Sequence, residues 1–459
     1  MGAVWANEEI GVAQDNVEKE SAPVPQETEE KNPPKEAKAA AKKAKKKAAK
    51  PPRKPKEPRR PFPARRLLAP LVPLYKLALR IHGLLRMLGM KPTQMLALPV
   101  VSIGNLSTGG SGKTPLAITL AKALGKRGVR VDVLSRGYGR KSIFAARVHP
   151  QGSAEEFGDE PLLIARETGI PVYVAPQRYD AGLLAEADEK VEAKARVKAE
   201  AEAKAKAVAE ARAKEKAEAD AKAKADAEAK ARGEAMTPPV GSDPKQGAHA
   251  KNETAAEKPK PLQPFSVHLL DDGYQHRQLS RAVDILLLNQ QDWQDWLLPA
   301  GNLREPLAAL HRASVVAIPQ SEPLLEIALH MHGWQGPIWK LRRKMEVPTI
   351  SSPVAAFCGI ARPEQFFKGL QEAGLQLTHR FAFPDHYAYP PDVLIEMLDE
   401  ARQANVTTFV TTEKDLVRLG NLSKMFPKSI QLVAARLCVE IEDEDTAIDW
   451  LVDRLRPRA

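Results

Sequence analysis

Residues 98–114 read Leu98-Pro-Val-Val-Ser-Ile-Gly-Asn-Leu-Ser-Thr-Gly-Gly-Ser-Gly-Lys-Thr114. An apolar run of strand length gives way to a glycine-rich turn, and a strongly helix-forming stretch continues over 114–127. A phosphate-binding loop requires that order. Glycines let backbone N–H groups converge on an anion, a lysine adds a cation, and the helix contributes the positive end of its dipole. The loop here comprises Ser107, Thr108, Gly109, Gly110, Ser111, Gly112, Lys113 and Thr114, with Gly109, Gly110 and Gly112 supplying the backbone freedom. Lys113 suits the β- and γ-phosphates of a nucleotide such as ATP, and the Thr114 hydroxyl suits Mg2+. Ser107 stands where the general pattern has glycine, and the flanking strand and helix outweigh that departure.

Working outward, apolar runs at 129–134, 171–174, 266–270, 283–288 and 314–318 alternate with helical stretches such as 160–168. Alternation of this kind predicts βαβ units, an α/β fold with a mainly parallel, P-loop NTPase-like sheet and flanking helices. The run Val267-His-Leu-Leu-Asp-Asp272 ends in two acids followed by Gly273, the form of a strand that delivers a metal-binding carboxylate beside a phosphate loop. After Pro348, strand-like runs at 354–358, 375–382, 407–411 and 431–437 alternate with helical ones at 363–372, 391–404 and 446–455, predicting a smaller C-terminal α/β domain.

Two segments stand apart. Residues 1–60 and 187–262 are almost free of large apolar side chains, and such chains cannot bury enough surface to offset the entropy of ordering. Residues 35–60 hold thirteen Lys or Arg and two Glu, a net of +11, equal to the net charge of the 459-residue chain. The basic character therefore belongs to a disordered tail, suited to anionic headgroups or nucleic acid if it has a partner at all. The insertion repeats Ala, Lys and Glu over 189–231, which predicts one exposed helix up to about 65 Å long, with no apolar seam for a coiled coil. A Pro/Gly/Ser linker over 237–264 returns the chain to the sheet. The resulting division is a tail at 1–60, an amphipathic segment at 61–97, the kinase core at 98–186 and 263–348, the insertion at 187–262 and the C-terminal domain at 349–459.

Within 61–89, Leu74, Leu77, Ile81, Leu84 and Leu85 recur at helical spacing among Lys76, Arg80 and Arg86. Such a helix fits a membrane interface or a place on the protein's own core. No signal peptide and no uninterrupted apolar stretch long enough to span a bilayer is read from the sequence. Cys358 and Cys438 give neither a disulfide framework nor metal-ligand spacing, and are expected as reduced thiols.

Further blocks occur in order: Ser135-Arg-Gly-Tyr-Gly139, Gly158-Asp-Glu-Pro161, Leu270-Asp-Asp-Gly-Tyr-Gln-His276, Leu298-Pro-Ala-Gly-Asn-Leu-Arg-Glu-Pro306, Phe383-Pro-Asp-His-Tyr387 and Thr411-Thr-Glu-Lys-Asp415. With the loop, their order and wording resemble the tetraacyldisaccharide 4'-kinase family, the lipid A 4'-kinases of Gram-negative bacteria. The resemblance covers roughly 65–186 and 263–425. It implies phosphorylation, by ATP with Mg2+, of the 4'-hydroxyl of tetraacyldisaccharide 1-phosphate by a peripheral enzyme on the cytoplasmic face of the inner membrane. A monomer is expected, with a lipid substrate and no nucleic-acid partner. The resemblance also assigns Asp159 as the base, His386 as its partner and Glu160 to the magnesium shell with Thr114, Asp271 and Asp272. Asn105, Arg136, His276 and Arg304 are substrate-binding candidates, and Lys414 is a residue able to reach in from the second domain. Two other readings share part of this signal: a P-loop NTPase coupled to another partner, and a charged scaffold built on the tail and the long helix.

Overall fold

A computed structural model of the chain describes residues 65–90, 92–231, 265–350 and 353–456. The tail 1–60 and the linker 237–264 lie outside them. The helices are α1 (Val72–Met87), α2 (Lys113–Lys126), α3 (Ala154–Phe157), α4 (Asp159–Thr168), α5 (Arg178–Ala231), α6 (Gln290–Trp293), α7 (Pro323–Met331), α8 (Pro363–Glu372), α9 (Pro391–Gln403), α10 (Glu413–Leu419) and α11 (Glu444–Leu455). The strands are β1 (Val100–Asn105), β2 (Arg130–Ser135), β3 (Ala146–Arg147), β4 (Val172–Val174), β5 (Ser266–Asp271) and β6 (Val283–Leu287), then β7 (Val315–Pro319), β8 (Ile338–Glu346), β9 (Val354–Cys358), β10 (Leu377–Ala382), β11 (Thr408–Thr412) and β12 (Gln431–Ile441).

All twelve strands form one sheet in the order β10-β9-β11-β12-β8-β7-β6-β1-β5-β2-β4-β3. The central strands are buried end to end, as parallel strands covered on both faces must be. Val101 and Ile103 on one face of β1 pack with Leu116, Leu120 and Leu124 of α2, Leu162 of α4 and Leu451 of α11. Val100, on the other face, packs with Ala181 and Ala185 of α5. β1 thus lies at the centre of a three-layer α/β/α core, and the phosphate loop grows from its carboxyl end.

Two pairings are antiparallel: β3 with β4 at one edge, and β8 with β12 in the interior. The second pairing sets the architecture. Leu341 of β8 pairs with Pro319 at the end of β7 and with Ile441 at the end of β12. β8 then runs on past β7 paired with β12, and its Glu346 pairs with Arg436, next to Ala435, the partner of Thr412 at the end of β11. The strands that follow Pro348 therefore point back toward the first set. The carboxyl ends of the two parallel groups face each other across about 20 Å of β8–β12 ladder, at roughly 3.3 Å per residue. The sequence reading omitted β8 altogether. Its Lys340, Arg342 and Lys344 alternate with Trp339, Leu341 and Arg343, so no apolar run announces it.

The insertion helix also differs from expectation. It begins at Arg178, nine residues before the anticipated boundary at 187, and as one 54-residue helix is about 80 Å long. Its first turns belong to the core. Buried His268 of β5 holds Asp132 of β2 with Nδ1 2.6 Å from Oδ1, and its Nε2 lies 3.6 Å from Glu186 of α5. Glu186 accepts the backbone N–H groups of Ala97 and Leu98. Glu189 contacts the Ser266 hydroxyl, so the chain leaves and rejoins the core at one point. That point is the amino end of β5, the end opposite Asp271.

α1 buries Val72 and Tyr75 only in part against the core, and turns Leu74, Leu77, Ile81, Leu84 and Met87 outward. Of the stripe read from the sequence, Leu74, Leu77, Ile81 and Leu84 are exposed and Leu85 is half-buried.

Two outcomes follow. Replacing 196–262 with a short flexible linker should leave the unfolding temperature within about 2–4 °C of the parent, since none of the described residues removed belongs to the core. Gly104→Ala should destabilise by at least about 1–3 kcal/mol, because a Cβ there would lie 2.5 Å from Tyr274 Cβ in the turn that carries the acids. Differential scanning calorimetry of both variants is the check.

Candidate active site

The phosphate loop is held open by backbone geometry. Gly109 and Gly112 take φ of 117° and 92°, in the left-handed half of the map where a side chain is strained, and Gly112 caps α2. The flank at 302–304 braces the loop: Thr108 N–H donates to Asn302 O, and Arg304 N–H to Leu106 O. On the other side Arg343 of β8 donates to Ser111 O at 2.7 Å. Arg343 is half-buried, and desolvation, with neighbouring Arg362, depresses its pKa.

Lys113 reaches back across the loop, donating to Asn105 Oδ1 at 2.8 Å and pairing with Asp272 Oδ1 at 3.1 Å. Asp272 sits at φ 49°, and Arg304 meets its carboxylate at 3.2 Å. Burial works against ionisation of Asp272, but Lys113 and Arg304 prevail and hold it down at about 2. Arg304 and Asn105 therefore lie within the lysine–acid cluster. Gln275, which donates to Asn105 O and accepts from Arg304, completes it.

Asp271 has the opposite environment. It is buried and its Oδ1 has no hydrogen-bond partner. Burial, with the charges of Glu160 and Asp272, pushes it up to about 7. An unpartnered buried carboxyl oxygen among acids fits a divalent cation, which would neutralise the excess negative charge.

Asp159 and Glu160 open α4 behind Gly158, whose φ is 90° and where an added Cβ would lie 2.9 Å from the Gly137 backbone. Asp159 is buried; its Oδ1 accepts the Glu160 N–H and its Oδ2 lies 3.2 Å from His386 Nδ1. Arg418 donates to the same oxygen at 2.5 Å, and Lys414 pairs with Glu160 at 2.6 Å. Burial opposes ionisation of Asp159, yet the hydrogen bond to His386 and the charges of Lys414 and Arg418 hold it well below the ordinary carboxylate range. The residues that grip Asp159 and Glu160 come from beyond residue 380, while the acids precede residue 161, so the facing strand ends enclose one cleft. Tyr138 lies against the His386 ring, with centroids 4.9 Å apart.

His276 and Arg136 belong to a neighbouring basic group. Arg136 is exposed, and Arg178 donates to Asp272 O. Burial and the charges of Arg178, Arg281, Arg86 and Arg136 depress His276 to about 4. Its imidazole stays neutral at physiological pH within a strongly cationic wall.

The sequence reading missed Arg178, Arg343 and Arg418. For Arg418 a signal existed: it stands four residues after Lys414 and so shares its helical face.

A family model described as tetraacyldisaccharide-1-P 4'-kinase matches residues 64–233 and 240–456. The tetraacyldisaccharide 4'-kinase of Koribacter versatilis is 32% identical over 377 residues, covering 80% of this chain and 91% of its own. The tetraacyldisaccharide 4'-kinase of Pelobacter propionicus is 32% identical over 420 residues, covering 87% and 95%. Among solved structures, LpxK from Aquifex aeolicus, described as an "apo" form in complex with ATP, superposes with a TM-score of 0.54 at 27% identity. That alignment covers 86% of this chain and 100% of the other. Both halves of the cleft lie inside the matched residues, and on that footing the chain belongs to the tetraacyldisaccharide-1-P 4'-kinase family.

Proposed function

We propose that the protein transfers the γ-phosphoryl group of ATP to the 4'-hydroxyl of tetraacyldisaccharide 1-phosphate, yielding ADP and the bis-phosphorylated lipid. The observation that carries this reading is the pairing of buried Asp159 with half-buried His386, in the cleft that also holds the phosphate loop. An NTPase coupled to another partner needs Lys113, Thr114 and Asp271 but has no use for that pair.

In the proposed reaction the sugar oxygen forms a bond to the γ-phosphorus as the bond to the β,γ-bridging oxygen breaks. The hydroxyl proton passes to the Asp159–His386 pair. A carboxylate held so far into its ionised range is a weak acceptor on its own, and His386, with Nδ1 3.2 Å from Oδ2, holds it in place toward the hydroxyl. Lys113 leaves Asp272 for the phosphates, where it offsets the charge that gathers as the bond breaks. Thr114, Glu160, Asp271 and Asp272 are the residues that would hold Mg2+, which when bound neutralises phosphate charge. Arg136 and His276, beside Arg178, form a wall suited to a phosphate of the acceptor.

The lipid acceptor gives the outward stripe of α1 a role. With Lys76 and Arg80 beside Leu77 and Ile81, this helix suits the interface of an anionic leaflet, and we assign the protein peripherally to the cytoplasmic face of the inner membrane. Among the described residues no helix is long and apolar enough to cross a bilayer.

Transfer of label from γ-labelled ATP to tetraacyldisaccharide 1-phosphate, in detergent micelles with magnesium, tests the function. Lys113→Ala should lower kcat by about 10²–10³-fold. Asp159→Ala should lower it by about 10²–10⁴-fold while nucleotide binding, read by calorimetry, persists. ATP hydrolysis by the parent without labelled lipid contradicts the assignment. Leu77→Glu with Ile81→Glu should abolish sedimentation with anionic vesicles and leave the circular dichroism spectrum unchanged; continued sedimentation rules out α1 as the attachment.

A further inference from the structure

Arg418 lies on α10, and neither its backbone nor its side chain lines the phosphate loop. Its side chain is 9% exposed, and both terminal nitrogens are hydrogen-bonded. Nη2 donates to Asp159 Oδ2 at 2.5 Å, and Nη1 donates to Asp415 Oδ1 at 2.7 Å and to Gly359 O at 3.1 Å. Gly359 O is also the acceptor for the backbone N–H of His386, at 3.2 Å. One carbonyl oxygen therefore anchors both the arginine that grips Asp159 and the residue whose ring meets the same Asp159 oxygen.

The far side of this arrangement is rigid. Asp415 is fully buried and accepts from Tyr389 Oη at 2.9 Å, from Gly359 N–H at 3.1 Å and from Thr412 Oγ1 at 2.6 Å, besides Arg418. These partners come from the ends of β9 and β11 and from the turn after β10, which passes through left-handed residues at His386 and Tyr389, with φ of 61° and 52°. Tyr389 is itself locked among Phe357, Phe383 and Tyr387. A planar fork with donors in fixed directions can satisfy Asp159, Asp415 and Gly359 together, whereas a lysine offers one point charge.

Building on the kinase reading above, we propose that Arg418 is a positioning residue for phosphoryl transfer, fixing Asp159 Oδ2 against His386 Nδ1 so that the C-terminal half of the chain sets the turnover rate without touching either substrate. Its effect falls on alignment of the proton acceptor, so it enters kcat and leaves ground-state binding of ATP and lipid alone.

The test is steady-state kinetics of lipid phosphorylation by the full chain, with each variant's folded fraction measured by calorimetry. Arg418→Gln should lower kcat by about 10–10²-fold with both KM values within about twofold of the parent. Arg418→Lys should recover only part of that loss. Asp415→Asn keeps the shape but removes the charge that aims the guanidinium, and should reproduce the kcat loss with Asp159 and His386 intact. In a background already carrying Asp159→Asn, Arg418→Gln should cost nothing more, because there is no carboxylate left to aim. Loss of thermal stability with kcat per folded molecule unchanged would mean that Arg418 is only a buried ion-pair strut, as would additive losses in the double variant. Absence of lipid phosphorylation by the parent is a separate result: it removes the kinase reading and this inference with it.

Discussion

β8 and β12 pair antiparallel in the interior of a mainly parallel sheet, and the meeting of the cleft's two sides depends on that reversal. In an open parallel sheet all carboxyl strand ends lie along one edge, and ligands bind in the crevice outside it. Here the chain doubles back, so a second row of carboxyl ends faces the first. The first row supplies the phosphate loop, Asp271, Asp272 and the turn leading to Asp159. The second supplies His386, Lys414 and Arg418. Arg343, from the ladder that joins the rows, is hydrogen-bonded to the loop itself.

Charge is distributed to match. Four acids, Asp159, Glu160, Asp271 and Asp272, meet Lys113, Arg304, Lys414 and Arg418. Three of the acids are satisfied by direct pairs with these cations. Asp271 is left with an unpartnered oxygen and a pKa near 7. Burying a charge without a partner is expensive, so a carboxyl kept in that condition beside a phosphate loop is where we propose that a cation is taken up. The same logic separates Asp159 from Asp271: both are buried, yet one is driven to ionise by an arginine and a histidine and the other is driven to hold its proton by neighbouring acids.

Much of this was legible in the sequence because buried parallel strands leave continuous apolar runs and glycine-rich loops leave spacing. Both halves of the parallel sheet, the loop, and the adjacency of Asp271 and Asp272 came from such local patterns. β8 did not, since a strand in which Lys340, Arg342 and Lys344 alternate with the other positions has no apolar run. The start of α5 was misplaced because its core turns, which include Tyr179, Asp180 and Gly182, run without a break into the solvated helix, and the burial of Ala181 and Ala185 tells the two apart. The grip of Arg418 on Asp159 joins positions 259 residues apart, and no periodicity carries that. The assignment of Asp159 and His386 rested on family resemblance; the fold supplies the physical reason they meet, which is the turned-back second row of strands.

The most direct test of the account is the position of the transferred phosphate. Proton–phosphorus correlation spectroscopy of the lipid recovered after incubation with ATP and magnesium reports which sugar carbon carries the new ester. A new phosphomonoester correlated with the proton on the 4' carbon, appearing as the hydroxyl there is lost, is the result predicted. Inorganic phosphate as the sole new species, or an ester at any other carbon, would contradict it.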